Sequence, residues 1–216
     1  MSWLKCVVFD MDGTLTQTNQ LIFDSFNYIA QKYAGKRYSE AEITAMFGPP
    51  EEGALLHIVD RSRLDEVMQD YLLYYRSHHT LASLYPGIRE VLDFLKDAGV
   101  KLALFTGKGI HTTTITLEEF GLKDYFDLVV TGNDVVDHKP SAEGIRKILK
   151  EFRLRPDEAL MVGDAVADVK AAHEAGVRIA AVVWDSYGKD QVMEMKTDAV
   201  FENVEEFKAW LSRQFD

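Results

Sequence analysis

Apolar residues along the chain follow two alternating rhythms. Short, largely apolar runs recur at 6–9, 100–105, 128–131, 159–162 and 179–183, and their length and composition predict strands buried on both faces. Between them the period changes. Ile88, Val91, Leu92 and Leu95 fall at i, i+3, i+4 and i+7 ahead of a stop at Gly99, and Ile145, Ile148, Leu149 and Phe152 repeat the spacing. These are amphipathic helices. Strands alternating with helices predict a doubly wound α/β fold on a parallel sheet.

Residues 16–84 break the alternation, because they offer helical patterns and no convincing buried strand. Ile22, Phe26, Ile29, Ala30 and Tyr33 make one apolar face, and Leu64, Val67, Met68, Tyr71, Leu72 and Tyr75 make another. Ser39 with Glu42 forms a capping-box pattern for a third, shorter helix. Phe47-Gly48-Pro49-Pro50 interrupts the helices, and Pro86-Gly87 marks the return to the core. The expected organisation is an α/β core of residues 1–15 and 85–216, interrupted by a helical domain at 16–84.

Charge narrows the partners. The formal net charge is −11, so the field of the whole protein repels nucleic acid and acidic membrane surfaces. An anionic substrate would need a local cation or a few well-placed basic residues. The single cysteine, Cys6, excludes an intrachain disulfide and fits a reducing compartment. The first residues resemble no signal peptide, and the apolar run at 179–184 is too short to span a bilayer. A cytoplasmic protein acting on a small molecule, with no nucleic-acid or membrane partner, is expected; oligomeric state is not legible.

The chemistry gathers after the strands, at the edge where parallel sheets build ligand sites. Asp10-Met11-Asp12-Gly13-Thr14 follows the first run, Thr106-Gly107 the second, Lys139-Pro140 lies beyond the third, and Gly163-Asp164 with Asp168 follows the fourth. Phosphoryl transfer to a carboxylate needs such a set, because a carboxylate approaching a phosphate dianion must be shielded by cations. Asp10 and Asp164 offer hard oxygen ligands for Mg²⁺, and Lys139 adds fixed positive charge. Thr106 can hydrogen-bond a phosphate oxygen, Gly107 permits close backbone approach, and Asp12 remains free to move a proton.

On these residues the chain resembles the haloacid dehalogenase-like hydrolase superfamily, whose four motifs it matches in order over nearly its full length. The resemblance implies a Rossmann-like core with a mobile helical cap, Asp10 as nucleophile and Asp12 as acid/base. It further implies phosphate binding by Thr106 and Lys139, and Mg²⁺ held by Asp10, Asp164, Asp168 and the carbonyl of Asp12. Within the superfamily the chain is similar to the phosphoglycolate phosphatase and pyrophosphatase branch. Three positions depart from its pattern: Gly107 where Asn is frequent, His138 where Gly is frequent and Gln17 where Asp is frequent. Gln17 and His138 are candidates to face the leaving group.

Other readings are weaker. Gly107-Lys108-Gly109 is no P-loop, since Leu102 and Gly109 stand where Gly and Ser or Thr are required, and Thr112 breaks the dinucleotide pattern. His78 and His79 read as solvated helix-end residues, Tyr71, Tyr74 and Tyr75 as packing, and Arg61 and Arg63 as surface charge. A sugar phosphomutase of the β-phosphoglucomutase type carries a histidine in its first cap helix; by spacing that place is Ile22 here. A receiver-like phosphoacceptor would have no use for Asp12 or a cap. The expected activity is a phosphatase acting on a small phosphate monoester, phosphoglycolate-like, or on a phosphoanhydride.

Overall fold

The computed structural model describes residues 3–215. In chain order the elements are β1 (Cys6–Phe9), β2 (Thr16–Gln17), α1 (Asn19–Ala34), α2 (Glu40–Thr44), α3 (Glu51–Leu55) and α4 (Leu64–Ser77). Then come β3 (Ser83–Leu84), α5 (Ile88–Asp97), β4 (Lys101–Phe105), α6 (Ile110–Glu119), β5 (Leu128–Val130) and α7 (Glu143–Phe152). The chain closes with β6 (Ala159–Gly163), α8 (Val166–Ala175), β7 (Arg178–Val182), α9 (Lys189–Met193), β8 (Ala199–Phe201) and α10 (Val204–Ser212).

Six strands form one parallel sheet in the order β5-β4-β1-β6-β7-β8. Successive residues of β1 point to opposite faces, as a strand's period of two requires. Val7 and Phe9 join α5 and α10 in one core, while Cys6 and Val8 join α7 and α8 in the other. Burial on both faces explains the largely apolar runs. It also pushes the Cys6 thiol up to about 12, so this cysteine is packing rather than a nucleophile.

Helices α1 to α4 carry their own apolar cluster, including Phe26, Ile29, Leu55, Val67, Tyr71 and Tyr75. The capping box at Ser39 and Glu42 is present at the start of α2. The insert is not wholly without strands. Its two crossings to the core, β2 and β3, pair antiparallel, with Thr16 opposite Leu84 and Gln17 opposite Ser83. Two-residue strands at an edge leave no hydrophobic period to read, and for the same reason the short edge strand β8 escapes sequence patterning.

Candidate active site

The carboxyl ends of β1, β4 and β6 lie side by side, so the polar residues that follow them meet on one rim. Asp10 is fixed by its backbone N–H, which donates to Val162 at 2.8 Å, and Thr106 by donation to Val130 at 3.0 Å. Lys139 reaches this rim from the loop after β5. Its ammonium bridges Asp10 and Asp168, 2.6 Å from each. Asp168 sits in the first turn of α8, fully buried, and also accepts the Ala165 N–H at 3.0 Å.

Asp10, Asp164 and Asp168 each present an oxygen within 4.8 Å of the others. Burial, with Asp168 adding repulsion against the pull of Lys139, pushes Asp10 up to about 7. Burial likewise raises Asp164 well above the ordinary carboxylate range, helped by Asp10 and Asp168. One lysine is therefore too little positive charge for three clustered carboxylates. Asp164 is held by Thr14, whose hydroxyl donates to it at 3.3 Å. Gly13 is what admits Asp164 here. It has φ +82°, and a Cβ at this position would stand 2.5 Å from the Asp164 carboxylate.

Asp12 lies apart from that cluster. Its carboxylate faces the insert, accepts the Thr18 hydroxyl, and pairs with the ammonium of Lys108 at 3.2 Å. Burial opposes the charge on Lys108, but Asp12, Tyr75 and Glu51 together hold its pKa above the ordinary lysine range. Lys108 also donates to the Tyr75 hydroxyl at 2.9 Å. Sequence reasoning missed this lysine by weighing it only as part of a P-loop. The available signal was its place two residues after Thr106, on the same post-strand loop.

Other residues depart from expectation. His79 is not solvated: it is buried, with Nε2 3.3 Å from the Thr116 hydroxyl and its ring edge-on to Phe120. Its partners lie some forty positions away, beyond the reach of local patterning, whereas His78 is exposed as expected. Tyr75 packs in the insert and also joins the site through Lys108. Arg61 and Arg63 are exposed, and Arg63 lies over the Tyr33 ring.

A cavity of about 360 Å³ opens above the rim. Core residues Asp10, Asp12, Thr106, Gly107, Lys108 and Lys139 form its floor. The insert supplies the opposite wall through Asn19, Ile22, Phe26, Phe47, Glu51 and Tyr71. Gln17 and His138 are not among the lining residues; Gln17 is exposed and accepts the Ser83 hydroxyl at 3.4 Å. Glu51, the first residue of α3, accepts the Gly109 N–H at 2.7 Å and the Thr112 hydroxyl at 2.5 Å, and so fastens the insert to the core.

The sequence model of the haloacid dehalogenase-like hydrolases matches residues 7–182, the span that carries all of these groups. The chain belongs to that family. It is 32% identical over 202 residues to the pyrophosphatase PpaX of Anoxybacillus flavithermus, covering 93% of this chain and 94% of that protein. Among solved structures it resembles a predicted phosphoglycolate phosphatase from Haemophilus somnus, with 24% identity, a TM-score of 0.80 and 99% of both chains covered. A Thermotoga maritima protein provisionally named a β-phosphoglucomutase is 29% identical, with a TM-score of 0.76, 97% of this chain and 99% of that one covered. The protein is thus an enzyme, a family phosphatase with the family's α/β core. Among the described residues no helix is long and apolar enough to cross a membrane.

Proposed function

We propose that the protein hydrolyses a small phosphate monoester or related phosphoanhydride through an aspartyl-phosphate on Asp10. The observation that carries this reading is the separation of the two first-motif aspartates. Both line the cavity, but Asp10 shares a buried cluster with Asp164, Asp168 and Lys139, whereas Asp12 is held apart from it by Lys108 and Thr18. This separation supports reading Asp10 as the attacking carboxylate and Asp12 as the proton carrier.

The cluster fits a hard dication. Three carboxylates supply oxygen donors within 4.8 Å of one another, and the raised pKa values of Asp10 and Asp164 mark an unmet demand for positive charge. Asp10, Asp164 and Asp168 would hold Mg²⁺, with the Asp12 carbonyl that the family resemblance adds. When bound, Mg²⁺ supplies charge neutralisation between the nucleophile and the phosphoryl oxygens. Lys139 adds a fixed cation beside Asp10, and the Thr106 hydroxyl, which accepts the Lys108 N–H at 3.2 Å, would donate to a phosphoryl oxygen.

Asp10 then attacks phosphorus and displaces the leaving oxygen, to which Asp12 gives a proton. Asp12, now ionised, takes a proton from the water that cleaves the acyl phosphate. The Asp12 proton is shared with a leaving group inside a walled cavity, which favours a small phosphorylated metabolite over a phosphoprotein. A cytoplasmic setting suits the lone thiol at Cys6. A phosphomutase reading draws on the Thermotoga maritima neighbour. It is weakened by Ile22, which brings an aliphatic side chain to the cavity at the place the mutase histidine would take.

Rapid-quench labelling with an aryl phosphate and Mg²⁺, followed by peptide mass analysis, tests the mechanism. Asp12→Asn should trap phosphate on Asp10 while losing about 10²–10⁴-fold in turnover, and Asp10→Asn should carry no label. Label on another residue, or equal losses for aryl and alkyl esters in both variants, would sink it.

A further inference from the structure

The wall opposite the catalytic rim carries no spare positive charge, and this bears on what the enzyme releases. The inference rests on the phosphatase reading given above. Among the described residues, the lining sets three acidic side chains (Asp10, Asp12 and Glu51) beside only two basic ones (Lys108 and Lys139). Both ammonium groups are already paired, Lys139 with Asp10 and Asp168, and Lys108 with Asp12. A divalent cation there would offset the surplus of Asp10, Asp164 and Asp168 over Lys139, so it frees no positive charge for a group beyond the phosphoryl. Nothing remains for a second anionic group.

The insert's side of the cavity is mostly hydrocarbon. Ile22, Phe26 and Tyr71 are buried there, and Phe47 leans over the opening at 45% exposure, stacked on Phe23. Phe47 belongs to the loop between α2 and α3, so its side chain is held by aromatic contacts with Phe23 and Phe26 rather than by a helix. Among the described residues, the one charged group on this wall is acidic. Glu51 spends both oxygens accepting from the Gly109 N–H and the Thr112 hydroxyl, so it offers no donor to a second anionic group. Asn19 adds a neutral amide, suited to a hydroxyl.

We infer that, of the substrates the phosphatase reading admits, phosphate monoesters of neutral, largely apolar alcohols or phenols are preferred, and that pyrophosphate and esters bearing a second anionic group are disfavoured. Apolar contact with the wall favours the neutral leaving group, while like charge and the absence of a free cation disfavour the anionic one. The wall is part of the insert, so the selectivity belongs to the insert and the chemistry to the core.

The test is a matched pair of esters with similar leaving-group basicity, n-butyl phosphate and 4-phosphooxybutanoate, with pyrophosphate as a third substrate and p-nitrophenyl phosphate as reference. All are assayed on the full chain with Mg²⁺. The butyl ester should exceed both anionic substrates in kcat/KM by about tenfold or more. A smaller ratio, or a reversed one, overturns the inference and leaves the hydrolase reading standing. No turnover of any of the four overturns both. Phe47→Arg, a change on the exposed loop, should narrow the butyl to carboxybutyl ratio at least about threefold by supplying the missing cation; an unchanged ratio removes Phe47 from the selective wall.

Discussion

The ammonium of Lys108 stands 3.2 Å from the Asp12 carboxylate, with the lysine side chain almost fully buried and the aspartate about one-fifth exposed. Through the Tyr75 hydroxyl the same ammonium touches α4 of the insert. One cation therefore aligns the proposed proton carrier and reads the position of the insert above it.

Lys108→Met should slow the reaction by removing this alignment without removing the proton carrier. Among the described residues Asp12 would keep only Thr18 as a side-chain partner, and a misplaced general acid costs about 10–100-fold. The loss should be larger for an alkyl phosphate than for an aryl phosphate, whose leaving group needs less protonation. Steady-state kcat for both esters checks this. Equal losses would assign Lys108 to ground-state binding instead.

Binding of Mg²⁺ should be visible without any substrate. A ligand that binds only the folded protein at 100 times its Kd adds about 2.7 kcal/mol, which for a chain of this size raises Tm by about 5–10 °C. Because burial holds Asp10 up to about 7, protons compete with the metal and the shift should shrink as pH falls below neutrality. Differential scanning fluorimetry with Mg²⁺ and with chelator measures it. Asp164→Asn should abolish most of the rise.

His79 gives the junction between insert and core its own pH dependence. Burial lowers its pKa, with Lys108 adding to the effect and Glu119 opposing it. The unfolded chain then binds a proton at a pH where the folded chain does not, so stability is present above about pH 6.5 and is lost as pH falls through the folded pKa. Tm measured from pH 7.5 to 5 should fall more steeply for the native protein than for His79→Gln. Parallel curves would show that His79 does not titrate in this range.

The sequence made the α/β core legible because a strand buried on both faces writes an unbroken apolar run and an amphipathic helix writes a period. The convergence of Asp10, Asp12, Thr106, Lys139, Asp164 and Asp168 on one rim was legible because they lie in the segments that follow such runs. What it hid depends on distant partners. Lys108 is defined by Asp12 and Tyr75, and His79 by Thr116 and Phe120. Helix α6 was obscure for another reason. Its run of threonines is weak helix-forming sequence, yet Thr112 and Thr116 are buried where the insert meets the core, bonded to Glu51 and Tyr75.

The pairing of β2 with β3 has an architectural consequence. Neighbouring strands lie about 4.8 Å apart, so the chain leaves the core and re-enters it at almost the same point. Topologically, everything between Gln17 and Ser83 is the loop of a single hairpin. Such a loop can be lengthened, shortened or exchanged without altering the order of the six parallel strands, since the core needs only that the two ends remain side by side. The catalytic rim and the wall above it can accordingly change on separate schedules, one held by the sheet and the other free to be replaced as a unit.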